Sequence, residues 1–295
     1  MDTSTYSILA GGETNRMFRA LHAVIAGGQG NVILTNSEYA VIGGGQRNTI
    51  QTNADWGVIG GGSFNVITTN GQVATIGGGS NNVASGLCAT VPGGHRNNAD
   101  GDYSFAAGRR AKATNDGAFV WADNANADIT STNNNSVTMR AAGGYRLFSN
   151  SAATGGVFLP ASGTSWAAIS DRNVKKDFAP VDSLAILEKL AGIPITQWHY
   201  QWEDSGLTPH IGPMAQDFKA AFYPGRDDKS ITTQESDGVA LAAIQGLNHK
   251  LEQALAAKET QIEQLTSTVA ELKTLVNEIR GANSRGPIAA SNGHR

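Results

Sequence analysis

Several absences constrain this chain of 295 residues before any motif is read. It has one cysteine, Cys88, which can form no internal disulfide and reads as a small apolar residue, not a nucleophile. Only eight prolines stand beside 36 glycines, and no Gly-X-Y period is present, which excludes collagen. Charged residues make up 16% and the formal charge is −3, with no basic run, so no nucleic-acid partner is expected. No stretch of 18 apolar residues occurs, so no membrane insertion is expected. The opening Met1-Asp2-Thr3-Ser4-Thr5-Tyr6 has neither the basic nor the apolar segment of a secretory signal, and the chain reads as made soluble. The histidines at 22, 95, 199, 249 and 294 are scattered without metal-ligand spacing, so neither metal nor cofactor is expected.

Against these absences stands a tandem repeat. Gly43-Gly44-Gly45-Gln46-Arg47-Asn48-Thr49-Ile50 aligns with Gly60-Gly61-Gly62-Ser63-Phe64-Asn65-Val66-Ile67 and with Gly77-Gly78-Gly79-Ser80-Asn81-Asn82-Val83-Ala84. Asparagines fall at 15, 31, 48, 65, 82 and 97, stepping by 16, 17, 17, 17 and 15 residues; a degenerate copy at Ala107–Ala113 shortens the step to 14. Each copy has two short β-branched or apolar pairs, such as Val41-Ile42 and Thr49-Ile50, around a glycine-rich turn. Pairs this short bury a core only when stacked on their equivalents in the next coil, where the asparagines can also form a hydrogen-bonded ladder. The repeat therefore predicts a β-solenoid over residues 1–123. A phosphate-binding loop is excluded, because no glycine run ends in Lys-Ser/Thr or leads from a long strand into a helix. Glycoside hydrolysis needs paired carboxylates, and residues 8–90 hold only Glu13, Glu38 and Asp55.

The repeat, with Tyr103–Ala113 and Gly117–Asp123, resembles the head repeats of trimeric bacterial adhesins and phage fibres. That resemblance implies three parallel chains side by side. A β-rich neck is expected over 124–169, with strands around Val137-Thr138-Met139 and Val157-Phe158-Leu159 broken by Pro160 and Gly163. Residues 170–240 change character, with a helix from Ser183 to Leu190 capped by Asp182 or Ser183. A long helix is predicted over 241–280. Its apolar positions Ile262, Leu265, Val269, Leu272, Val276 and Ile279 alternate steps of three and four, a coiled-coil seam, while Leu247, Leu251 and Leu255 form a stutter. Residues 281–295 read as a disordered tail.

The stretch Trp166-Ala167-Ala168-Ile169-Ser170-Asp171-Arg172-Asn173-Val174-Lys175-Lys176-Asp177-Phe178 looks like the opening of the C-terminal intramolecular chaperone of phage endosialidases and tail fibres, which begins with a Ser-Asp pair and a lysine five residues after the serine. His210–Phe218 resembles that family's second signature, and Asp237–Leu241, leading into the C-terminal helix, its third. Alone, the Ser-Asp pair would read as an N-cap. The resemblance implies an α+β domain that registers and trimerises the chains and then severs itself between Ile169 and Ser170. Ser170 would be the nucleophile and Lys175 its base, with His210 and, more remotely, Glu203 near the cut. A serine hydroxyl needs such a base, and a lysine can serve only as the free amine, favoured by burial or by cations such as Lys176 and Arg172. Trp198 and Trp202 read as core.

The expected protein is thus a homotrimer in a virion or phage-like tail apparatus, or else an extracellular surface fibre. It would be joined to tail or injection-apparatus components, and its shaft would space or present a receptor-binding surface. The alternative is a solenoid that itself grips a cell-surface glycan or other host receptor.

Overall fold

A computed structural model describes residues 6–223 and 227–284. The chain divides into two compact units, Met1–Ile169 and Ser170–Arg295.

The first unit is a β-solenoid. Two-residue strands such as Val24–Ile25, Val41–Ile42, Val58–Ile59 and Thr75–Ile76 pair in parallel, one coil to the next, in a ten-stranded sheet. Strands such as Val32–Ile33, Thr49–Ile50 and Val66–Ile67 form a parallel eight-stranded sheet. In each pair the first residue faces outward and the second is buried, because successive side chains of a strand point to opposite faces. Ile25, Ile42, Ile59 and Ile76 thus stack in one column and Ile33, Ile50 and Ile67 in the other, all fully buried. Burying one such side chain contributes about 2 kcal/mol. Where the coil shortens toward its end, the second column shrinks with it, from Ile67 to Ala84, Ala99 and Ala113.

Besides its glycines, each middle coil turns on three left-handed residues, for example Asn36, Tyr39 and Arg47, then Asn53, Trp56 and Phe64, at φ between 52° and 57°. Single residues in this region cost on the order of 1 kcal/mol, and stacking identical turns holds them there. At Gly45 (φ +85°) the requirement is absolute, since a Cβ would strike the carbonyl oxygen of Gly62 in the next coil.

The predicted asparagine ladder is present. The backbone N–H groups of Asn31, Asn48, Asn65, Asn82 and Asn97 each donate to the side-chain oxygen of the asparagine one coil earlier, at 2.9–3.1 Å. Each side-chain amide donates to two glycine carbonyls; Asn65 Nδ2 bonds Gly61 and Gly79 at 3.0 and 3.1 Å. These five asparagines are wholly buried.

Parallel pairing continues past residue 123. Ile129–Thr130 pairs with Ala111-Lys112, and Val137–Arg140 pairs with Phe119–Ala122. The exposed Asn133-Asn134-Asn135 forms an enlarged corner within the stack, which its polarity alone could not disclose. The last coils are clamped by Arg110–Asp128 and Arg140–Asp123, both at 2.7 Å. An antiparallel three-stranded sheet follows, made of Gly144–Phe148, Gly156–Pro160 and Ala167–Ala168.

The second unit has helix α1 (Ser183–Gly192), a hairpin pairing Thr196–Trp198 with His210–Gly212, helix α2 (Ala215–Phe222) and helix α3 (Thr233–Ser284). Asp182 caps α1 by accepting the N–H groups of Leu184 and Ala185. Ile193, Phe218 and Val239 form a small core with Ile186, Leu190 and Ile231. Gly246 lets α1 approach α3, since a Cβ there would strike the Ser183 carbonyl. The helix expected from 241 starts eight residues earlier, at Thr233, so Asp237–Leu241 lies inside it. Thr232 Oγ1 accepts the Glu235 N–H, a Thr-x-x-Glu start signal legible in the sequence. The tail expected from 281 is helical as far as Ser284, and the rest of it lies outside the described residues.

Replacing Asn65 by alanine would strand the buried N–H of Asn82 and remove two amide donors. We expect a loss of roughly 2–4 kcal/mol per chain, read as a lowered denaturation midpoint of the shaft; an unchanged midpoint would contradict a ladder that holds the coils.

Candidate functional site

Ser170 is the first residue of the second unit. Asp171 caps a single 3-10 turn, Arg172–Val174, by accepting the N–H of Asn173 at 2.9 Å and its side-chain amide at 3.0 Å. The turn closes with the Lys175 N–H on the Arg172 carbonyl at 3.2 Å, which folds the chain back on itself. Lys175 Nζ is thereby brought to Ser170 Oγ, to which it donates at 2.6 Å. Five residues of separation and an Asx-type turn are what this contact needs. The Ser-Asp pair therefore caps and at the same time positions the lysine.

Ser170, Lys175 and every residue between them are exposed. The two cations named from the sequence are engaged elsewhere: Arg172 lies over the Phe178 ring at 5.8 Å, and Lys176 is 3.9 Å from Asp177. Among the described residues none encloses the Lys175 side chain.

His210 and Glu203 form a second pair. Trp198 and His210 are directly opposed in the hairpin, and their rings stack at 4.6 Å. Glu203 Oε1 meets His210 Nε2 at 3.0 Å, and its Oε2 accepts the Tyr200 N–H at 2.8 Å. The Tyr200 N–H and, next, His210 hold the Glu203 carboxyl below the usual carboxylate range. The carboxylate thus fixes both the loop and the imidazole. Among the described residues no hydrogen bond or ion pair joins this pair to Ser170 and Lys175.

Trp202 is not core. It is 80% exposed in the loop between the hairpin strands, stacked on Tyr200 at 4.6 Å. Trp198 is half-buried, and its indole N–H is buried without a partner among the described residues. Both line an open cleft of about 760 Å³ with Tyr200, Met214, Lys229 and Ile231; Ser170, Lys175 and His210 do not line it. The run Trp198-x-Tyr200-x-Trp202, three aromatic rings at the end of the strand and in the loop after it, was the available signal. Among the described residues no group of His, Cys, Asp or Glu side chains could hold a metal ion, and no helix is long and apolar enough to cross a membrane.

Residues 170–225 match the family model described as chaperone of endosialidase. The match begins at Ser170 itself and spans the Ser170–Lys175 contact, the hairpin and α2. Together with the β-solenoid it fits a tail-fibre protein with an endosialidase-type chaperone domain. No curated protein matches the chain.

A depressed carboxyl stabilises above the ordinary glutamate pKa and loses that contribution as pH falls through its lowered value. The His210 and Trp198 ring signals in NMR should accordingly show an acid step below the ordinary glutamate range. Glu203→Gln should abolish it, and persistence of the step in that variant would assign it to another group.

Proposed function

We propose that this chain is a homotrimeric tail-fibre or tail-tip protein whose last domain drives assembly and is then released by a cut between Ile169 and Ser170. One observation carries the reading: a 2.6 Å Lys175–Ser170 contact at the first residue of the endosialidase-chaperone match, where one compact unit ends and the next begins.

In the proposed reaction Ser170 Oγ attacks the carbonyl carbon of Ile169 while Lys175, as the free amine, takes the hydroxyl proton. The tetrahedral species breaks its C–N bond, leaving the Ile169 acyl group as an ester on Oγ and the Ser170 amine protonated and free. Water then hydrolyses the ester to the Ile169 carboxylate and restores the hydroxyl. Neutral lysine is favoured by burial, which the exposed single chain does not provide, so the cut belongs to the assembled trimer. His210, held by Glu203, would polarise the carbonyl or orient the lysine from a neighbouring position.

The trimer is supported by α3. From Leu247 to Ile279 its apolar residues are all exposed in one chain, including Leu251, Leu255, Ile262, Leu265, Val269 and Leu272. A 52-residue helix with such a seam is stable in water when partner helices cover the seam. The assembly role is supported by the coils, whose near-identical steps allow neighbouring chains to slip by one coil while keeping most contacts. A helical bundle forms faster than a long non-local β assembly and would fix the register first. Removing it afterwards deprives the fibre of a route to unfolding.

A second reading, a shaft that itself grips a glycan, is favoured by an exposed ring stack at one corner: Tyr6, His22, Tyr39 and Trp56, with centroids 4.9–5.9 Å apart. The inner rings cover one another's faces, so edges and the two end rings, Tyr6 and Trp56, remain for a ligand. Glycan-array binding by the purified shaft, lost in Trp56→Ala, separates this reading from a spacer.

By mass spectrometry the wild type should yield residues 1–169 and 170–295, whereas Ser170→Ala, Lys175→Ala and Lys175→Arg should remain full-length, because guanidinium cannot accept the serine proton. Cleavage of Lys175→Arg at the wild-type rate would remove lysine from the role of base. Leu265→Glu with Leu272→Glu should abolish the trimer and the cut together. Expression of residues 1–169 alone should give insoluble or misregistered shaft; a heat-resistant trimer from that fragment would make the last domain dispensable.

A further inference from the structure

We propose that the ten-stranded sheet of the solenoid is the face on which the copies of the shaft meet, with the eight-stranded sheet turned to solvent; this rests on the trimeric reading above. In a parallel, in-register assembly around a threefold axis, a residue near the axis faces its own copies at the same height. An ionisable side chain there meets like charge in a site with little water, which is destabilising. The columns of a face that lie nearest such an axis must be free of charge.

The two adjoining outward columns of each sheet differ sharply in this respect. On the ten-stranded sheet the outward column runs from Ile8 through Val24, Val41 and Val58 to Phe105 and Phe119, with threonines on the two rungs between. The phenylalanine rings stack at 4.7 Å. The adjoining outward column is small and exposed in the early coils, at Ala26, Gly43, Gly60 and Gly77, which lets a neighbouring backbone approach closely. It becomes bulky and apolar at the other end, where Trp121 pairs with Met139. From Ile8 to Met139 neither column holds an acidic, basic or amide side chain; the sheet's charged side chains, His95 paired with Arg109 and Arg140 at its last strand, lie outside these two columns.

The equivalent columns of the eight-stranded sheet carry Arg16, Gln51, Asn98, Asp100 and Lys112. A threefold axis against that face would set three arginines, three aspartates and three lysines against their own kind at successive heights. Trp121, exposed on a single chain, is covered on this reading by the same residue of its neighbours.

Thiol protection tests the assignment. In a Cys88→Ser background, full-length Val58→Cys and Val66→Cys place one thiol on each face of the same stretch of coils, at outward positions that leave the isoleucine columns intact. Their masses are checked by light scattering, and labelling with a bulky maleimide is timed on the native protein and on the denatured chain. Cys at 58 should react at least about tenfold more slowly than Cys at 66 in the native protein, with equal rates after denaturation. Equal or reversed protection in a particle of trimeric mass would overturn the facing alone. A wild-type particle near the single-chain 30.7 kDa would overturn the trimeric reading on which it rests.

Discussion

The buried asparagine of each coil is the constraint on which the shaft depends. It accepts nothing from solvent, being wholly enclosed, and its oxygen serves the backbone N–H of the next asparagine while its amide ties two glycine carbonyls. Buried polar groups must find such partners or cost a full desolvation penalty. The spacing between coils is therefore dictated chemically as well as by packing, and the glycines follow from it. Where the asparagine amide and the next coil's carbonyl converge on Gly45 or Gly62, no Cβ can enter. The left-handed residues follow too, because a coil of about seventeen residues with strands of only two must turn sharply at each corner.

The same regularity that secures the winding of one chain leaves the relation between chains undetermined. The middle coils, with Val24, Val41 and Val58 outward, offer nearly the same surface, so in the proposed trimer lateral contacts there select a register only weakly. The second unit has the opposite character. Its core is small, centred on Phe218, Ile193 and Val239, and most of α3 stands outside it with a bare apolar seam. Features that look incomplete in one chain have a common explanation in the proposed assembly: the uncovered seam, the exposed Ser170–Lys175 contact and the uncharged sheet columns each acquire a neighbour.

The local geometry around Ser170 links these themes. Asp171 makes the bonds of an ordinary helix cap, yet the turn it caps is a single three-residue turn that returns Lys175 to the serine. Capping and the proposed catalysis are not competing readings of that dipeptide, since the cap supplies the geometry that the proposed reaction would use. The Glu203–His210 pair is fixed with equal care by the hairpin, and it stands apart from the dyad by the bonds that one chain can make.

By itself the sequence determined whatever depends on periodicity and short range. The seventeen-residue step specified the solenoid, its isoleucine columns and its asparagine ladder, because each coil meets only the next and repeats its neighbour's chemistry. Asp182 before Ser183 was legible for the same reason, being settled within one turn of chain, whereas the pairing of Ser170 with Lys175 was legible only through the resemblance of its spacing to the endosialidase chaperone. Tertiary structure decided what long-range packing controls. It carried parallel pairing past a polar Asn-rich corner to Arg140 and began α3 at Thr233. It also turned Trp202 out to solvent, where residue type alone had suggested burial, because its loop leaves the hairpin without a layer to cover it. The contrast between the two sheets' outward columns lies in no residue alone; it emerges only when the register sets Val41 beside Val58 and Asp100 beside Thr114 along their columns.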